Sequence, residues 1–600
     1  MYGFHGRFLH VDLSTRKSSW RELEETRLKK FLGGIGLGTS LLYDWCPAHT
    51  EALAPENPLI FAGAPLVGTG LTTTAKYAVV TKSPLTGFIA DSLSSSYFAL
   101  ELKRVGVDAL VITGRAPSPV YLFIQEGNVE LRSAERLWGR PPRDAETLIR
   151  AEHGDEAIRV AAIGLAGENL VRFATISNEG RHAGRGGVGA VMGAKNLKAV
   201  ALRGHAQVAV AEPARVALMA ASLRERSLGT LTAKYREIGT VANLAVFNRL
   251  GTLPTRNFQQ ATFDGAEAVS GESLTENSFG RKHGCASCTI RCERLFKSHS
   301  GDEQRLEYES LYALGPLCGI ADPEIVLQAA RLCDEYAIDT ISTGGTIAWA
   351  MECAEKGLLP EAEACGLRFG RGEALLRAIS MIGERRDCGV LLAEGSRRAA
   401  ALTGGEAVHY AMHVKGLEMP GYEPRSLKTM ALGLAVSPRG ACHNRSGAYE
   451  ADFSAAVDRL KGDAARGALV KASEDFNAAL DSLIVCKFLR KCFDDFYAEA
   501  AALVAGVTGW SYSAADLQCT GERINTLKKM FNVRQGWQPG DDWLPPRVLG
   551  EALRDGVASG VSLTTDELRI MIRGYYRARG WEENGRVPQE KLRELNMTGA

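Results

Sequence analysis

Three cysteines within eight residues are the strongest chemical signal in this sequence. Cys285, Cys288 and Cys292 have the spacing C-x2-C-x3-C, and His283 stands just before the first of them. Thiolates in such a set converge on soft metal centres, most often zinc or an iron–sulfur cluster. The spacing therefore predicts a metal centre. It leaves open a [4Fe–4S] cluster with a remote fourth cysteine, or a zinc ion completed by His283 or a remote cysteine.

The remaining cysteines supply the candidates for a fourth ligand. Spacing alone does not choose among them: Cys46, Cys318, Cys333, Cys353, Cys365, Cys388, Cys442, Cys486, Cys492 and Cys519.

A carboxylate pattern occurs twice. Residues 337–341 read AIDTI and residues 479–483 read ALDSL, so each segment places an aspartate between apolar residues and follows it with a hydroxyl. Chance is one interpretation, because these residues are common. The other is that Asp339 and Asp481 bind two similar ligand halves, since a carboxylate accepts paired N–H donors such as the edge of a pterin. Cys486 follows Asp481 closely, which favours it as a thiolate near one half.

Length and composition exclude several classes of protein. The 600 residues are too many for one compact core and predict two to four domains. Lys plus Arg number 71 against 70 Asp plus Glu, so the net charge of +1 gives no footprint for nucleic acid or an anionic membrane. We find no apolar run long enough for a membrane span and no signal peptide. Thirteen unevenly placed cysteines favour a reducing cytoplasm over a disulfide framework.

The hydrophobic pattern changes along the chain. Short apolar or alternating runs at residues 4–13, 58–62, 77–80, 109–112 and 199–202 predict β-strands. After about residue 213 the spacing becomes helical, with helices predicted over 325–337, 468–480 and 493–504, the first started by Asp322-Pro323. The pattern predicts an α+β fold in which a sheet-rich amino-terminal part precedes mainly helical domains.

Several further blocks occur in a family order. FLGGIGLG spans residues 31–38, KSPLTG 82–87 and GRGGVGAVMGAKNLK 184–198; after the cysteines and both aspartate motifs come FNVRQGW at 531–537 and DWLP at 542–545. Over essentially the whole chain the sequence resembles the tungsten-dependent aldehyde:ferredoxin oxidoreductase family. The resemblance implies a base of two β-sheets over 1–208, a helical domain over 209–415 with the clustered cysteines, and a helical domain over 416–600 with Cys486.

The resemblance also implies the cofactors. One tungsten is expected on the four dithiolene sulfurs of two pterins without a protein ligand, and one [4Fe–4S] cluster on the three clustered cysteines and Cys486. Asp339 and Asp481 match the family's pterin-binding aspartates, and Lys76 would bridge cluster and pterin. Further cofactor contacts are implied at Gly344 and Val485.

The pterin phosphates and their Mg²⁺ would meet backbone around Ala183, Gly184 and Arg185, because bare N–H groups can cradle phosphate. Without the resemblance, a tight strand-to-helix turn is the preferred interpretation of this glycine-rich stretch. The sequence departs from the family at Ser94-Ser95-Ser96, where members often have a Gly-Gly pair. Serine hydroxyls can still reach phosphate, but the close backbone approach that a glycine pair permits is not expected there.

Aldehyde oxidation also needs groups that polarise the carbonyl and move protons. His443, within RGACHNR at 439–445, matches the family's active-site histidine and would donate a hydrogen bond to the aldehyde oxygen. Glu309 best matches the active-site glutamate, a base for water, with Glu307 as a close rival. Without the resemblance, the histidine would be structural and the two acids part of a solvated strand face.

The implied electron acceptor is ferredoxin or a ferredoxin-like iron–sulfur subunit, and a further flavin subunit and an oligomer are expected from multi-subunit members. GIGLG at 34–38 has the wrong spacing for a dinucleotide fingerprint.

Two other functions stay open. One is a tungsten benzoyl-coenzyme A reductase subunit, for which Cys442 would supply a metal thiolate. The other is a non-catalytic iron–sulfur carrier, which needs neither aspartate motif nor His443. The sequence leaves aliphatic and aromatic aldehydes, and reversal to acid reduction, open.

Overall fold

A computed structural model describes residues 1–597. Two large sheets form the amino-terminal part and helices dominate the rest, which confirms the predicted α+β fold. The α-helices of the described residues are Glu25–Phe31, Gly34–Trp45, Tyr97–Arg104, Pro142–His153, Leu165–Glu168, Val188–Ala194, Pro213–Arg226, Ala233–Glu237, Asn243–Arg249, Gly271–Asn277, Tyr308–Leu314, Pro323–Tyr336, Thr340–Glu355, Pro360–Ala364, Gly372–Glu384, Gly389–Leu392, Ser396–Thr403, Lys428–Val436, His443–Ser446, Tyr449–Asp452, Arg466–Ser482, Phe496–Thr508, Ala514–Arg534, Pro546–Gly550, Thr565–Arg579 and Gln589–Glu594.

The two large sheets have six strands each. In chain order their strands are β1 Arg7–Asp12, β2 Lys17–Glu22, β3 Leu59–Ala62, β4 Lys76–Lys82, β5 Ile89–Ser95, β6 Ala109–Thr113, β7 Val120–Gln125, β8 Asn128–Ser133, β9 Arg159–Ala162, β10 Ile176–Asn178, β11 Arg181–Ala183 and β12 Leu197–Arg203. The first sheet has the order β2-β1-β6-β3-β4-β5 and the second β11-β10-β9-β12-β7-β8. One pair in each sheet is parallel, β1 with β6 and β7 with β12. All five predicted strand runs lie in these sheets.

The two sheets pack face to face. Side chains alternate along a strand, so Leu59 and Phe61 of β3 join Leu122 and Ile124 of β7 in one core between the sheets. Ile60, from the opposite face of β3, belongs instead to a core shared with the carboxyl-terminal helices. The first sheet is therefore covered on both faces and supports the helical part of the molecule.

Three short strands that the sequence did not predict hold the cysteine motif. They are β13 Phe279–His283, β14 Glu293–Lys297 and β15 Glu303–Arg305, and they form an antiparallel sheet in the order β13-β14-β15. His283 pairs with Glu293, so residues 284–292 form the loop of a hairpin. Most side chains of β13 are exposed, which leaves no apolar alternation to predict the strand from.

The predicted helices are all present. Asp322 begins Pro323–Tyr336 as its N-cap by accepting a hydrogen bond from the Glu324 N–H at 2.9 Å. The predicted domain boundary at 415 falls in the turn of a small hairpin, β16 His413–Val414 with β17 Leu417–Glu418. Both domain boundaries stay predictions. None of the helices in residues 1–597 is both long and apolar enough to cross a membrane.

Candidate active site

A cavity of about 870 Å³ lies where the first sheet, the cysteine hairpin and the helical part meet. Most of the predicted site residues line it: Lys76, Ser94, Ser95, Gly184, Arg185, Cys285, Cys292, Glu307, Glu309, Asp339, His443, Asp481 and Cys486. Strands hundreds of residues away from the helical motifs in sequence thus bring their side chains to the same cavity.

Four predicted residues are not part of the cavity lining. Gly344 lies inside helix Thr340–Glu355, where a Cβ would stand 2.2 Å from the Ala313 carbonyl oxygen. This glycine permits close helix packing rather than contact with the cavity. Ala183 and Val485 are buried and are not among the lining residues. Cys288 lies in the cysteine loop between Cys285 and Cys292, which do line the cavity.

The four predicted thiols are neighbours. Burial, followed by the thiolates of Cys486 and Cys285, raises the pKa of Cys288 to about 11. Burial and then Cys486 raise the pKa of Cys292 well above its usual range. Among residues 1–597, no group of three or more His, Cys, Asp or Glu side chains is arranged so that it could hold one metal ion. The thiols can be near one another without such placement, because a four-iron cluster lies between its thiolates and holds them farther apart than one ion does.

The serines that replace the family's Gly-Gly pair hold the cysteine loop. Cys285 Sγ lies 3.3 Å from Ser95 Oγ, and the Ala286 N–H donates to Ser96 Oγ at 3.1 Å. Ser94 donates to Asn178 Oδ1 at 2.7 Å. At least two of the three serines therefore serve the loop. The fourth cysteine is fixed separately, because the Cys486 N–H donates to the Thr73 carbonyl at 3.2 Å.

Lys76 stands at the start of β4 between the thiols and one aspartate. Burial would lower its pKa, but the negative charges of Cys486, Cys285 and Asp481 outweigh burial and raise it. The ammonium group is therefore held charged between the thiols and the Asp481 region. His283, the alternative metal ligand, directs Nδ1 to Glu293 Oε2 at 2.7 Å instead.

Asp339 is the N-cap of helix Thr340–Glu355. Its carboxylate accepts the Ile341 N–H at 3.2 Å and the Ser342 hydroxyl at 2.7 Å. Arg185 Nε donates to the same carboxylate at 3.1 Å. Arg185 is itself fixed by Ser92, whose hydroxyl donates to the Arg185 carbonyl and accepts the Arg185 N–H. The glycine-rich turn between β11 and helix Val188–Ala194 thereby places one guanidinium beside one carboxylate.

Asp481 lies in the last turn of helix Arg466–Ser482 and pairs with a different arginine. Arg445 Nη1 donates to Asp481 Oδ2 at 2.6 Å, and Arg445 Nε lies 3.1 Å from Asp91 Oδ1. Asp91, in the middle of β5, is fully buried and also pairs with Lys528 and Arg439. Burial would raise the pKa of Asp91, but these three cations lower it well below its usual range.

Glu309 and His443 form a buried pair. Glu309 Oε1 lies 3.3 Å from His443 Nδ1, and neither atom has a hydrogen-bond partner in the described structure. The second oxygen of Glu309 accepts the Gly421 N–H at 3.0 Å. Burial raises the pKa of Glu309 to about 7. Burial, then Lys487 and the nearby guanidinium groups, lowers the pKa of His443 well below its usual range.

The rival glutamate faces the other way. Glu307 is the N-cap residue of helix Tyr308–Leu314, and its charge acts on Cys292 and Arg181. Two glutamates separated by one residue thus lie on different sides of the cavity, Glu307 towards the thiols and Glu309 towards His443.

Sequence reasoning missed the cations that surround these groups. Arg439 and Arg445 flank His443 in the same motif, so their position was an available signal. Asp91, the carboxylate that binds these arginines, had a weaker sequence signal, because it is a lone acid within an otherwise uncharged strand. No sequence signal indicated the pair of His182 and Asp334, whose Nε2 and Oδ1 atoms are 3.2 Å apart.

The lining residues fit a large anionic cofactor. Ten Lys and Arg side chains face six carboxylates around the cavity. Arg439 Nε is buried there without a hydrogen-bond partner among residues 1–597, whereas the Arg445, His182 and His443 ring or guanidinium nitrogens nearby meet carboxylates in ion-pair contacts. Buried polar atoms normally have hydrogen-bond partners, so a ligand that bears phosphate or carbonyl groups would supply the missing acceptor. Four neighbouring thiols at one end suit an iron–sulfur cluster.

A buried cationic cavity beside four thiols is typical of a redox protein that encloses a metal cofactor. Family profiles described as "Aldehyde ferredoxin oxidoreductase, N-terminal domain" and "domains 2 & 3" match residues 8–204 and 219–597. The tungsten-containing aldehyde ferredoxin oxidoreductases of Pyrococcus furiosus and Thermococcus kodakarensis are each 39% identical to the chain, over 100% of it and 99% of their own length. The chain belongs to the aldehyde ferredoxin oxidoreductase family, and the resemblance read from its motifs is confirmed.

A solved structure shows the same fold. A chain of the active site complex BamBC of benzoyl coenzyme A reductase, in complex with 1,5-dienoyl-CoA, superposes with a TM-score of 0.85. It is 24% identical, and the match covers 99% of this chain and 97% of that one. At this identity the likeness concerns the fold alone.

Proposed function

We propose that this chain oxidises aldehydes to carboxylic acids at a tungsten bis-pterin centre and passes the electrons through one [4Fe–4S] cluster to ferredoxin or a ferredoxin-like subunit. The observation that carries the proposal is the buried Glu309–His443 pair, which lines one cavity together with three of the four thiols and two arginine-paired aspartates. It occurs in a chain that matches tungsten-containing aldehyde oxidoreductases from end to end.

The cofactor would lie between the two aspartates. Asp339 and Asp481 would each accept N–H donors from one pterin, and Arg185 and Arg445 hold these carboxylates in place. Backbone at Gly184 would face the phosphates and their Mg²⁺, because a Cβ there would meet nothing closer than 4.0 Å. Cys285, Cys288, Cys292 and Cys486 would hold the cluster, with Lys76 between cluster and pterin.

When bound, the tungsten centre accepts the electron pair that leaves the aldehyde. The chain's own groups supply the proton chemistry. His443 is neutral because its pKa is low, and a neutral imidazole carries one N–H to donate to the aldehyde oxygen. Its Nδ1 faces Glu309, so the N–H stands on Nε2, towards the substrate, in the form in which Glu309 Oε1 carries the proton and shares it with Nδ1. Glu309 Oε1 would accept a proton from the water that becomes the second acid oxygen, and a pKa near 7 suits a base at neutral pH.

Electrons would leave where the cysteine loop reaches the surface. Ser287 and Arg291 of the loop are exposed, and the Thr289 hydroxyl is 2.7 Å from that of Ser227. The residues that follow Ser227 include Leu228 and Leu231, whose side chains are 51% and 57% exposed. Apolar side chains beside a cluster loop suit a protein acceptor. A ferredoxin-like protein is therefore the proposed partner for this face.

The benzoyl-coenzyme A reductase alternative depends on Cys442. This thiol is fully buried and does not line the cavity. Burial would raise its pKa, but Arg439, Arg445 and Arg185 outweigh burial and lower it. The three arginines explain the lowered pKa of Cys442 without a bond between its sulfur and a metal. The aldehyde reaction, which needs no such bond, is therefore favoured.

A matched pair of variants tests the proposal. Anaerobically purified enzyme loaded with tungsten and iron should reduce benzyl viologen when an aldehyde is added. Glu309→Gln should lower kcat by about 10²–10⁴-fold, the usual contribution of a positioned base, whereas Glu307→Gln should stay within a few fold of wild type. The reverse pattern would exchange the roles of the two glutamates. Loaded enzyme that turns over benzoyl-coenzyme A but no aldehyde would support the reductase instead.

A further inference from the structure

One side of the cavity beside Glu309 and His443 consists of aromatic rings. Phe247, Tyr308, Tyr422, Tyr449 and Phe453 all line it, and we call these five residues the aromatic wall. The proposed reaction uses none of them as a reacting group.

The aromatic wall is continuous with the reacting pair. The Tyr422 ring stacks on the His443 ring at a centroid distance of 5.4 Å, and Tyr449 stacks on Tyr422 at 4.8 Å. Phe247 lies 5.4 Å from Tyr422 and meets Phe453 at 5.1 Å in a stacked geometry. The aromatic rings therefore form a continuous series of contacts that begins at His443.

Exposure increases along the same path. Tyr422 is 4% exposed and Phe247 7%, whereas Phe453, at the outer end, is 37% exposed. A second stacked pair, Tyr235 and Phe488 at 4.1 Å, lines the cavity with partly buried rings. The cavity thus offers a ring-lined path from solvent to the site of chemistry.

We propose that the preferred substrate is an aromatic aldehyde whose ring packs against the aromatic wall while its carbonyl reaches His443 and Glu309. The inference rests on the proposed function. Aromatic rings attract one another in offset-stacked or edge-to-face geometries beyond what their buried area contributes. A saturated ring of the same size buries similar area against the wall but lacks this attraction, so the wall distinguishes the two.

The test compares benzaldehyde with cyclohexanecarboxaldehyde on the loaded holoenzyme, with benzyl viologen as acceptor. We expect kcat/KM to be about two- to ten-fold higher for benzaldehyde, the range that one aromatic contact supports. Titration calorimetry with the product anions gives a second measurement, in which benzoate should bind more tightly than cyclohexanecarboxylate. Equal values in both measurements would overturn the inference, whereas no oxidation of either aldehyde would overturn the proposed function.

Variants connect the preference to the wall. Tyr449→Leu should remove most of the preference, and Tyr449→Phe, which keeps the ring, should retain it. Tyr97→Leu is the matched control, because Tyr97 is 47% exposed on the amino-terminal part and does not line the cavity. A preference that survives Tyr449→Leu, or disappears equally in Tyr97→Leu, would contradict the role of the wall.

A second, independent observation concerns Ser95. We infer that its hydroxyl tunes the iron–sulfur cluster, because it lies 3.3 Å from Cys285 Sγ and is buried. A thiolate ligand can only accept, so the serine would donate to the sulfur. Hydrogen bonds to cluster sulfurs stabilise the reduced, more negative state and raise the reduction potential. This inference rests on the proposed cluster.

Redox titration of the cluster signal by electron paramagnetic resonance tests Ser95. Ser95→Ala should lower the midpoint potential, and Ser95→Thr, which keeps a hydroxyl, should restore it. Ser227→Ala is the control, because Ser227 contacts the loop at Thr289 without contacting a sulfur. An unchanged potential in Ser95→Ala with full iron content would overturn the inference, whereas a protein without a cluster signal would overturn the cluster assignment.

Discussion

The two aspartate motifs look alike in sequence and differ in the folded protein. Asp339 precedes helix Thr340–Glu355 and caps it, whereas Asp481 is the penultimate residue of helix Arg466–Ser482. The Asp339 carboxylate receives two backbone N–H groups, the Ser342 hydroxyl and Arg185. For Asp481 only the bond from Arg445 is present among the described residues.

The difference shows how one pattern can place a carboxylate in two ways. Asp339 serves the fold and the cavity together, because its oxygens stabilise a helix start. Asp481 is held mainly by an arginine that has a second buried partner in Asp91. The two halves of the proposed cofactor site should therefore respond unequally to the same substitution.

The largest expected effect is that of Asp339→Ala. It removes the helix cap and leaves the Arg185 guanidinium buried without its carboxylate, which should lower the free energy of unfolding by about 3–5 kcal/mol. Tungsten should be lost as well. Urea denaturation with metal analysis measures both, and Asp339→Asn is the control, because asparagine still caps the helix. A loss below 1 kcal/mol in Asp339→Ala would contradict its double role.

Asp481→Ala should cost less stability and still cost the cofactor. Arg445 keeps its contact with Asp91, so the expected loss is about 1.5–3 kcal/mol, the value of a hydrogen bond to a charged group. The same denaturation and metal measurements apply. If Asp481→Ala destabilised the protein as much as Asp339→Ala, the proposed inequality of the two halves would be wrong.

The pH dependence of the reaction should separate the two aspartates. Glu309 is the proposed base and would act in its charged form, so kcat/KM should fall as the pH decreases through about 7. The Asp339 charge is among the causes that raise this pKa, and Asp481 is not. Holoenzyme with Asp339→Asn should therefore show the acidic limb at lower pH, and Asp481→Asn should leave it unchanged. Equal shifts in both variants would contradict this.

The smallest expected effect is that of Ser342→Ala. It removes one hydroxyl that donates to Asp339 at 2.7 Å but keeps the backbone N–H, so the free energy of unfolding should decrease by about 1 kcal/mol. Denaturation of Ser482→Ala gives a comparison from the other motif, because the Ser482 hydroxyl donates to the Ala478 carbonyl and accepts the Gly36 N–H, and it does not bond to Asp481. Tungsten content should be unchanged in both variants, and its loss in either would be unexpected.

Sequence patterns predicted the parts of the fold that local hydrophobicity determines. Leu59–Ala62 and residues 77–80 of β4 are buried on both faces of the first sheet, so each is a continuous apolar run. Strand β13 was missed because its side chains are mostly exposed. The Asp339 cap was missed too, because the same five-residue pattern occurs at a helix start and at a helix end.

Partners within the site were the least predictable part. Asp91 and Lys528 are 437 residues apart in sequence and meet only because the first sheet packs on helix Ala514–Arg534. Nothing local to either residue indicates the other. The resemblance supplied Glu309 and His443, and the structure places Glu309 3.3 Å from the histidine, which supports Glu309 over Glu307 in the proposal.

The most direct measurement is the tungsten, molybdenum, iron and zinc content of anaerobically purified protein. About one tungsten and four irons per chain are expected for a bis-pterin centre beside one [4Fe–4S] cluster. Zinc in place of iron on the four thiols would contradict the cluster, and iron without tungsten or molybdenum in fully folded protein would favour the electron carrier.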